Sequence, residues 1–143
     1  MARFDKIGRT TGIFQSRNAL PDIVKKTGRI KVAPGVICDT YDFANTNAKD
    51  LGIVTVAADA KTPRQLVLNG ISTLEDHISG NATLRIEKPN GHKMRYRFRD
   101  GLAREAIAVE IGEIMQWRAK SDLTFGEVCY PPYRDGRYKD LPD

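Results

Sequence analysis

Histidine and cysteine are scarce in this chain, with two of each in 143 residues: His77, His92, Cys38 and Cys129. Two histidines exclude any site that needs three from one chain, and with it several common catalytic metal centres. Two cysteines are too few for a disulfide framework or a structural zinc cage, and leave room for at most one bridge, Cys38 to Cys129. No apolar run approaches the roughly 18 residues that cross a bilayer. The opening MARFDKIGRT lacks the apolar stretch of a secretory signal. The expectation is a soluble, cytoplasmic protein. Internal repeats and low-complexity segments are absent as well.

What is present suits one domain: 41% of the residues are apolar and 29% charged, enough to bury a core. The net charge of +5 is unevenly spread, because the first 31 residues carry Arg3, Lys6, Arg9, Arg17, Lys25, Lys26, Arg29 and Lys31 against only Asp5 and Asp22. A second basic run, MRYRFR, alternates Arg95, Arg97 and Arg99 with Met94, Tyr96 and Phe98. In a strand this places three arginines on one face and three apolar side chains on the other. A solvated outer face over a buried inner one accounts for the run, so nucleic acid is not expected among the partners.

Residues 1–31 read as an arm carrying one short helix. Ser16 or Asn18 would cap it, Pro21 suits its first turn, Asp22 its positive end, and Gly28 ends it after Lys25 and Lys26. Residues 32–143 read as a β domain of short runs separated by turn residues. ATLRIEKPNGHKMRYRF is a hairpin around Pro89, Asn90 and Gly91, since Asn-Gly tolerates the positive φ of a tight turn. EAIAVEIGEIMQWRA reads as a pair of strands around Gly112, with a helix over 102–114 as the competing reading. Ile107, Val109 and Ile111 favour strand by alternation and β-branching. DLTFGEVCYPPY is a last strand stopped by Pro131 and Pro132. Many short strands at regular spacing point to an all-β closed barrel or two-sheet jelly roll.

Several elements from Leu51 to Leu141 follow a known order. LGIVTVAADAKTP precedes a strand, STLEDHISGNATLRI ends a strand on Gly80, and VEIGEIMQWRAKSDLTFGEVCYPPY contains the Gly112-Glu113 turn. Asp59 stands near a first glycine position, Pro63 at a usual proline, and 130–133 at a terminal Pro-Pro segment. In this the chain resembles a single-domain cupin, and its TPRQ and PPYRDGRY segments resemble a bacterial subgroup of that superfamily. The resemblance implies a single cupin-type jelly-roll barrel. Cupins usually hold iron or manganese on three histidines and one glutamate. At the first two histidine positions this chain offers Gln65, Val67 and Asn69, the glutamate falls on Thr73, and the late histidine falls near Met115 or Gln116. No metal and no other cofactor is therefore expected. Gln65, Glu75, His77 and Glu127 remain as oxygen and nitrogen donors, but one imidazole and one neutral amide make a weak set for a transition metal.

The cupin register turns Thr73, Glu75 and His77 inward and Leu74, Asp76 and Ile78 outward. Gln65 and Val67 share one face of their strand, and Leu123, Phe125, Glu127 and Cys129 share another. A carboxylate on an apolar face needs a partner or a raised pKa, and both suit proton transfer. Glu75 and His77 form the leading catalytic pair, one as general acid or base and the other as its complement. Gln65 would orient a substrate carbonyl, Tyr96 and Trp117 would stack on it, and Thr73 and Glu127 complete the substrate-binding set. The plain alternatives stand beside these. Glu-x-His on a strand is more often a solvated or structural pair, Trp117 and Met115 read as core, and Cys38 and Cys129 as small core residues. His92 reads as exposed beside the hairpin turn. Tyr133, Arg134, Arg137 and Tyr138 read as a lid, a dimer contact or a surface tail. The functional expectation is a cupin-fold enzyme moving a proton on a small molecule, of isomerase, epimerase, cyclase or lyase type. The alternative is a non-catalytic cupin that binds a metabolite or serves assembly. A small-molecule ligand, no membrane and a homodimer complete the expectation.

Overall fold

A computed structural model describes residues 2–68, 72–132 and 138–143, with the side chain of Ser72 left aside. Among these residues the apolar–polar alternation of the sequence becomes thirteen strands and no helix. They are β1 (Arg3–Lys6), β2 (Thr11–Gln15), β3 (Asp22–Ala33), β4 (Val36–Phe43), β5 (Asp50–Val56), β6 (Arg64–Val67) and β7 (Ser72–Ser79). The second half contains β8 (Ala82–Glu87), β9 (Lys93–Phe98), β10 (Ile107–Glu110), β11 (Ile114–Ala119), β12 (Leu123–Tyr130) and β13 (Tyr138–Leu141). One sheet has eight strands in the order β1-β2-β3-β4-β5-β12-β7-β10, and the other has five in the order β13-β6-β11-β8-β9. The architecture is a two-sheet β-sandwich in which the long sheet curls. No helix among the described residues is long and apolar enough to cross a membrane.

Two cores follow from the two faces of the curled sheet. Between the sheets lie Leu84, Val109, Trp117 and Phe125, all buried with their neighbours from both sheets. On the back of the long sheet, Phe14, Val24, Tyr41, Leu51 and Val128 form a second cluster. The curl closes there because Gly126 has no side chain: a Cβ at that position would lie 2.7 Å from the Phe14 ring. Burying a phenylalanine in this way contributes about 1.5–3 kcal/mol, which fastens β2 over β12.

The chain changes sheet repeatedly, and two of these crossings form neighbouring corners. Gly80 lies between β7 of the long sheet and β8 of the short one, with φ of 95°, and a Cβ there would lie 2.1 Å from the Asp122 carbonyl oxygen. Only glycine fits so close an approach at positive φ. The second corner, just before β12, carries Asp122 itself.

Two expectations need correction. The helix of the N-terminal segment is absent, and residues 3–33 supply β1, β2 and β3 of the long sheet. Ile23, Val24, Thr27, Ile30 and Val32 are β-branched, and burial of Phe14 and Val24 rewards a two-residue period over the helix preference of Lys25 and Lys26. Asn18, read as a cap, takes a turn conformation with φ of 61°, while the Ala19 N–H donates to the Ser16 carbonyl. The strands around Gly112 both form but do not pair with each other, since β10 joins β7 while β11 joins β6 and β8. Gly112, at φ of 86°, is where the chain changes sheet. Asp76 does point to the outer side of β7, yet it is buried, because the N-terminal strands cover that side and Ser16 donates a hydrogen bond to its carboxylate.

The hairpin around Pro89, Asn90 and Gly91 is present, closed by the Lys88 N–H on the His92 carbonyl. Its register sets Arg85 directly opposite Arg95, both exposed. Like charges facing each other across two strands are destabilising, so Arg95→Glu is expected to raise folding stability by roughly 0.2–1 kcal/mol. Urea unfolding at low salt measures it, and the gain shrinks as salt is added.

Candidate active site

The site is built on β7 and β12, which run antiparallel with Glu75 and Glu127 as direct partners. Both carboxyls lie on the inner face, within reach of a hydrogen bond between them, a contact that requires a proton. Glu75 has no exposure to solvent. Its Oε1 accepts from Trp117 Nε1 at 2.8 Å and its Oε2 accepts from Thr73 Oγ1 at 2.8 Å. Trp117 is itself held, stacked on Phe125 with ring centroids 4.5 Å apart and packed on Phe98 at 5.0 Å. Burial first, and then the charge of Glu127, hold the Glu75 carboxyl well above its ordinary value of 4.5. Glu75 therefore holds a proton more tightly than an ordinary carboxyl, and that proton is placed to bridge to Glu127.

Glu127 is half-buried and faces a cavity of about 250 Å³. Tyr138 Oη donates to Glu127 Oε1 at 2.8 Å, and Cys129 Sγ lies 3.3 Å from Tyr138 Oη and 3.8 Å from Glu127 Oε1. Burial and the neighbouring carboxylate push the Tyr138 phenol well above its usual value, so it stays a donor. Val36, Val54 and Phe125 give the cavity apolar walls, while Lys31, Asp50 and Gln65 add polar groups around Glu127. Cys38 also lines it, but burial and nearby carboxylates push its thiol upward, so it is no ready nucleophile. Both cysteines are free, so no bridge joins them.

Thr73, Trp117, Glu75 and Glu127 thus come together, and Gln65 lines the same cavity. His77 shares the inner face with Glu75 but is engaged elsewhere: its Nε2 lies 2.6 Å from the Gly80 carbonyl and its ring 5.1 Å from Phe98. It braces the corner where the chain changes sheet. Tyr96 does not line the cavity; its hydroxyl lies 3.6 Å from Met94 Sδ and Arg104 covers its ring at 5.2 Å. His92 is exposed at the hairpin. Tyr138 is the partner that sequence reasoning left among lid and tail residues. Its strand pairs with β6 of the short sheet, Tyr138 opposite Val67, and no local pattern announces that it reaches Glu127 of the long sheet. Asn69, Tyr133, Arg134 and Arg137 lie outside the described residues.

No family model matches the chain, and no curated protein matches it either. Solved structures do. A single-substitution variant of oxalate decarboxylase from Bacillus subtilis superposes with a TM-score of 0.66 at 18% identity, over 80% of this chain and 30% of that one. A second variant gives 0.64 at 17% identity with the same coverage. A structure of the same enzyme described for its Mn(II) centres gives 0.59 at 17% identity, over 73% of this chain and 28% of that one. The likeness shows a cupin-like fold, and the chain spans about 30% of the length of these enzymes.

A manganese centre of that kind does not fit the residues present. Among the described residues, no group of three or more His, Cys, Asp or Glu is arranged to hold a metal ion. Of the positions the cupin pattern reserves for ligands, Val67 and Met115 are buried apolar residues, the Thr73 hydroxyl donates to Glu75, and the Gln116 amide donates to the Thr62 carbonyl. Such donors do not make a transition-metal site.

The raised pKa of Glu75 has a defined consequence for stability. Above pH 4.5 the unfolded chain releases a proton that the folded chain retains, so Glu75 makes stability fall as pH rises towards its folded value. The slope approaches about 1.4 kcal/mol per pH unit. Urea unfolding from pH 5 to 8 is expected to show Glu75→Gln with a shallower decline than the parent. The difference between the two isolates Glu75 from Asp76, which burial also raises.

Proposed function

We propose that the chain is a cupin-fold enzyme that moves a proton on a small organic molecule held in the cavity, by isomerase-, epimerase-, cyclase- or lyase-type chemistry without a metal step. The observation that supports this reading is the hydrogen-bonded carboxyl pair at the cavity wall. Glu127 touches the bound molecule and takes or returns the proton, since it is the member that faces the cavity. Glu75 acts through Glu127 as a positioning residue: with one proton shared by two carboxyls, Glu127 is the member that accepts the next. Thr73 and Trp117 fix Glu75, and Tyr138 steadies the charge on Glu127. Gln65 supplies an amide to orient a carbonyl or hydroxyl, and the apolar walls keep the reacting centre dry.

One observation favours the alternative of a non-catalytic, metabolite-binding protein: Glu127 Oε1 already accepts from Tyr138 and lies close to Cys129. The two readings separate in deuterated buffer. Small ketones and hydroxy acids are incubated with the protein, and exchange of their C–H protons is followed by proton NMR. The enzyme reading expects exchange of at least one compound, slowed about 10²–10⁴-fold in Glu127→Gln. Glu75→Gln shifts the pH profile, while Tyr96→Phe leaves the rate unchanged. Exchange equally fast in the parent and in Glu127→Gln would sink the proposed role, and saturable binding with no exchange would leave the binding reading.

A further inference from the structure

We propose that the outer face of the five-stranded sheet binds the phosphate backbone of duplex nucleic acid without reading bases. Alternation along β9 explains why Arg95 and Arg97 point outward, but not what lies beside them. Arg85 faces Arg95 across β8–β9, and Thr83 stands between Arg97 on one side and Arg118 of β11 on the other. Arg99 and Lys120 extend the group, and these six cations line one open concavity of about 490 Å³ whose other lining residues include no carboxylate. Among the described residues none of the six side chains has an ion pair. The acids on adjoining segments are engaged elsewhere: Glu87 with Arg64 at 3.1 Å, Asp100 with the Gly80 N–H at 2.9 Å and Asp122 with the Ala58 N–H at 3.0 Å.

The fold therefore keeps an uncompensated cationic array, including two arginines in direct opposition, where a polyanion would relieve the repulsion. From Arg95 to Arg99 the array runs about 13 Å along β9 and the residue that follows it, and it spans about 10 Å across three strands. Five of its six cations are arginine, whose planar fork suits phosphate oxygens. A lipid surface is a poorer fit, because the exposed large hydrophobics lie on other segments and none belongs to β8, β9 or β11. Single strands want aromatic platforms, yet Tyr96 and Trp117 occupy the opposite face of the sheet, and Phe98, which borders the concavity, is buried. A duplex offers closely spaced phosphates and asks for neither lipid insertion nor stacking.

Fluorescence anisotropy with a short labelled DNA duplex tests this on the full chain, from about 50 mM to about 200 mM salt. Binding is expected with a log–log salt slope of about −4, corresponding to four or five phosphate contacts. A second duplex of unrelated sequence should bind equally well. The double variant Arg95→Glu/Arg97→Glu should bind at least about ten-fold more weakly, with a slope shallower by about 2. Lys6→Glu/Arg9→Glu makes the same change in net charge on the exposed N-terminal segment and should keep the parent affinity. Circular dichroism and melting confirm that both variants remain folded. The proposal is overturned by no duplex binding at the low salt, by equal loss in the two double variants, or by binding to phosphatidylserine vesicles in place of the duplex.

Discussion

A carboxyl group cut off from water must keep its proton or find a cation, and the groups acting on Glu75 include no cation. Its environment is an indole N–H, a threonine hydroxyl and a second carboxyl. Retaining the proton resolves the conflict and also satisfies the carboxyl's own hydrogen bond, which goes to Glu127. The arrangement of the inner wall follows from that bond. β7 and β12 must pair in the one register that sets the two glutamates opposite, and Trp117 of the facing sheet must present its N–H rather than pack as a purely apolar plug. The indole is thereby both a core residue, stacked on Phe125, and a polar ligand of the site.

The rest of the fold protects this register. Gly80 allows the turn from β7 into β8 at a point where any side chain would strike the Asp122 backbone, and His77 holds the Gly80 carbonyl from inside. On the outer side, the N-terminal strands cover β7 and β12, with Phe14 lodged on Gly126 and Ser16 bonded to Asp76. A slip by one residue would move Glu75 to that covered back and Asp76 to the interior, so the register is specified from both faces. The cavity opens on the Glu127 side of the pair, which leaves one carboxyl for chemistry and the other behind it as support.

Much of this wall was legible because alternation is a local property. The period of two in TLEDHIS and LTFGEVC placed Glu75 and Glu127 on the sides of their strands that turn inward, and Asn90-Gly91 marked the β8–β9 turn. Local pattern does not carry the identity of the facing residue. Glu75 was matched with His77, two positions along the same strand, while its partners are Thr73 on the other side of it in β7 and residues that arrive from β11 and β12. Tyr138 was hidden for the same reason, since it reaches Glu127 only because β13 adds to the edge of the opposite sheet. The N-terminal segment shows the converse limit. Cap-like residues at Ser16, Asn18 and Asp22 suit a turn between strands as well as a helix start, and the burial of Phe14 and Val24 decides between them. In β9 the alternation was sound, but the cations that join Arg95 and Arg97 come from β8 and β11.

The arrangement of the inner wall requires that Glu75 carry a proton in the folded protein near neutrality and share it with Glu127. Infrared difference spectroscopy reads this directly through the carbonyl stretch of a protonated carboxyl. At pH 7 the parent should show that band, shifting in deuterated buffer, and Glu75→Gln should lack it. A parent spectrum in which every glutamate is ionised at pH 7 would show that Glu75 holds no such proton.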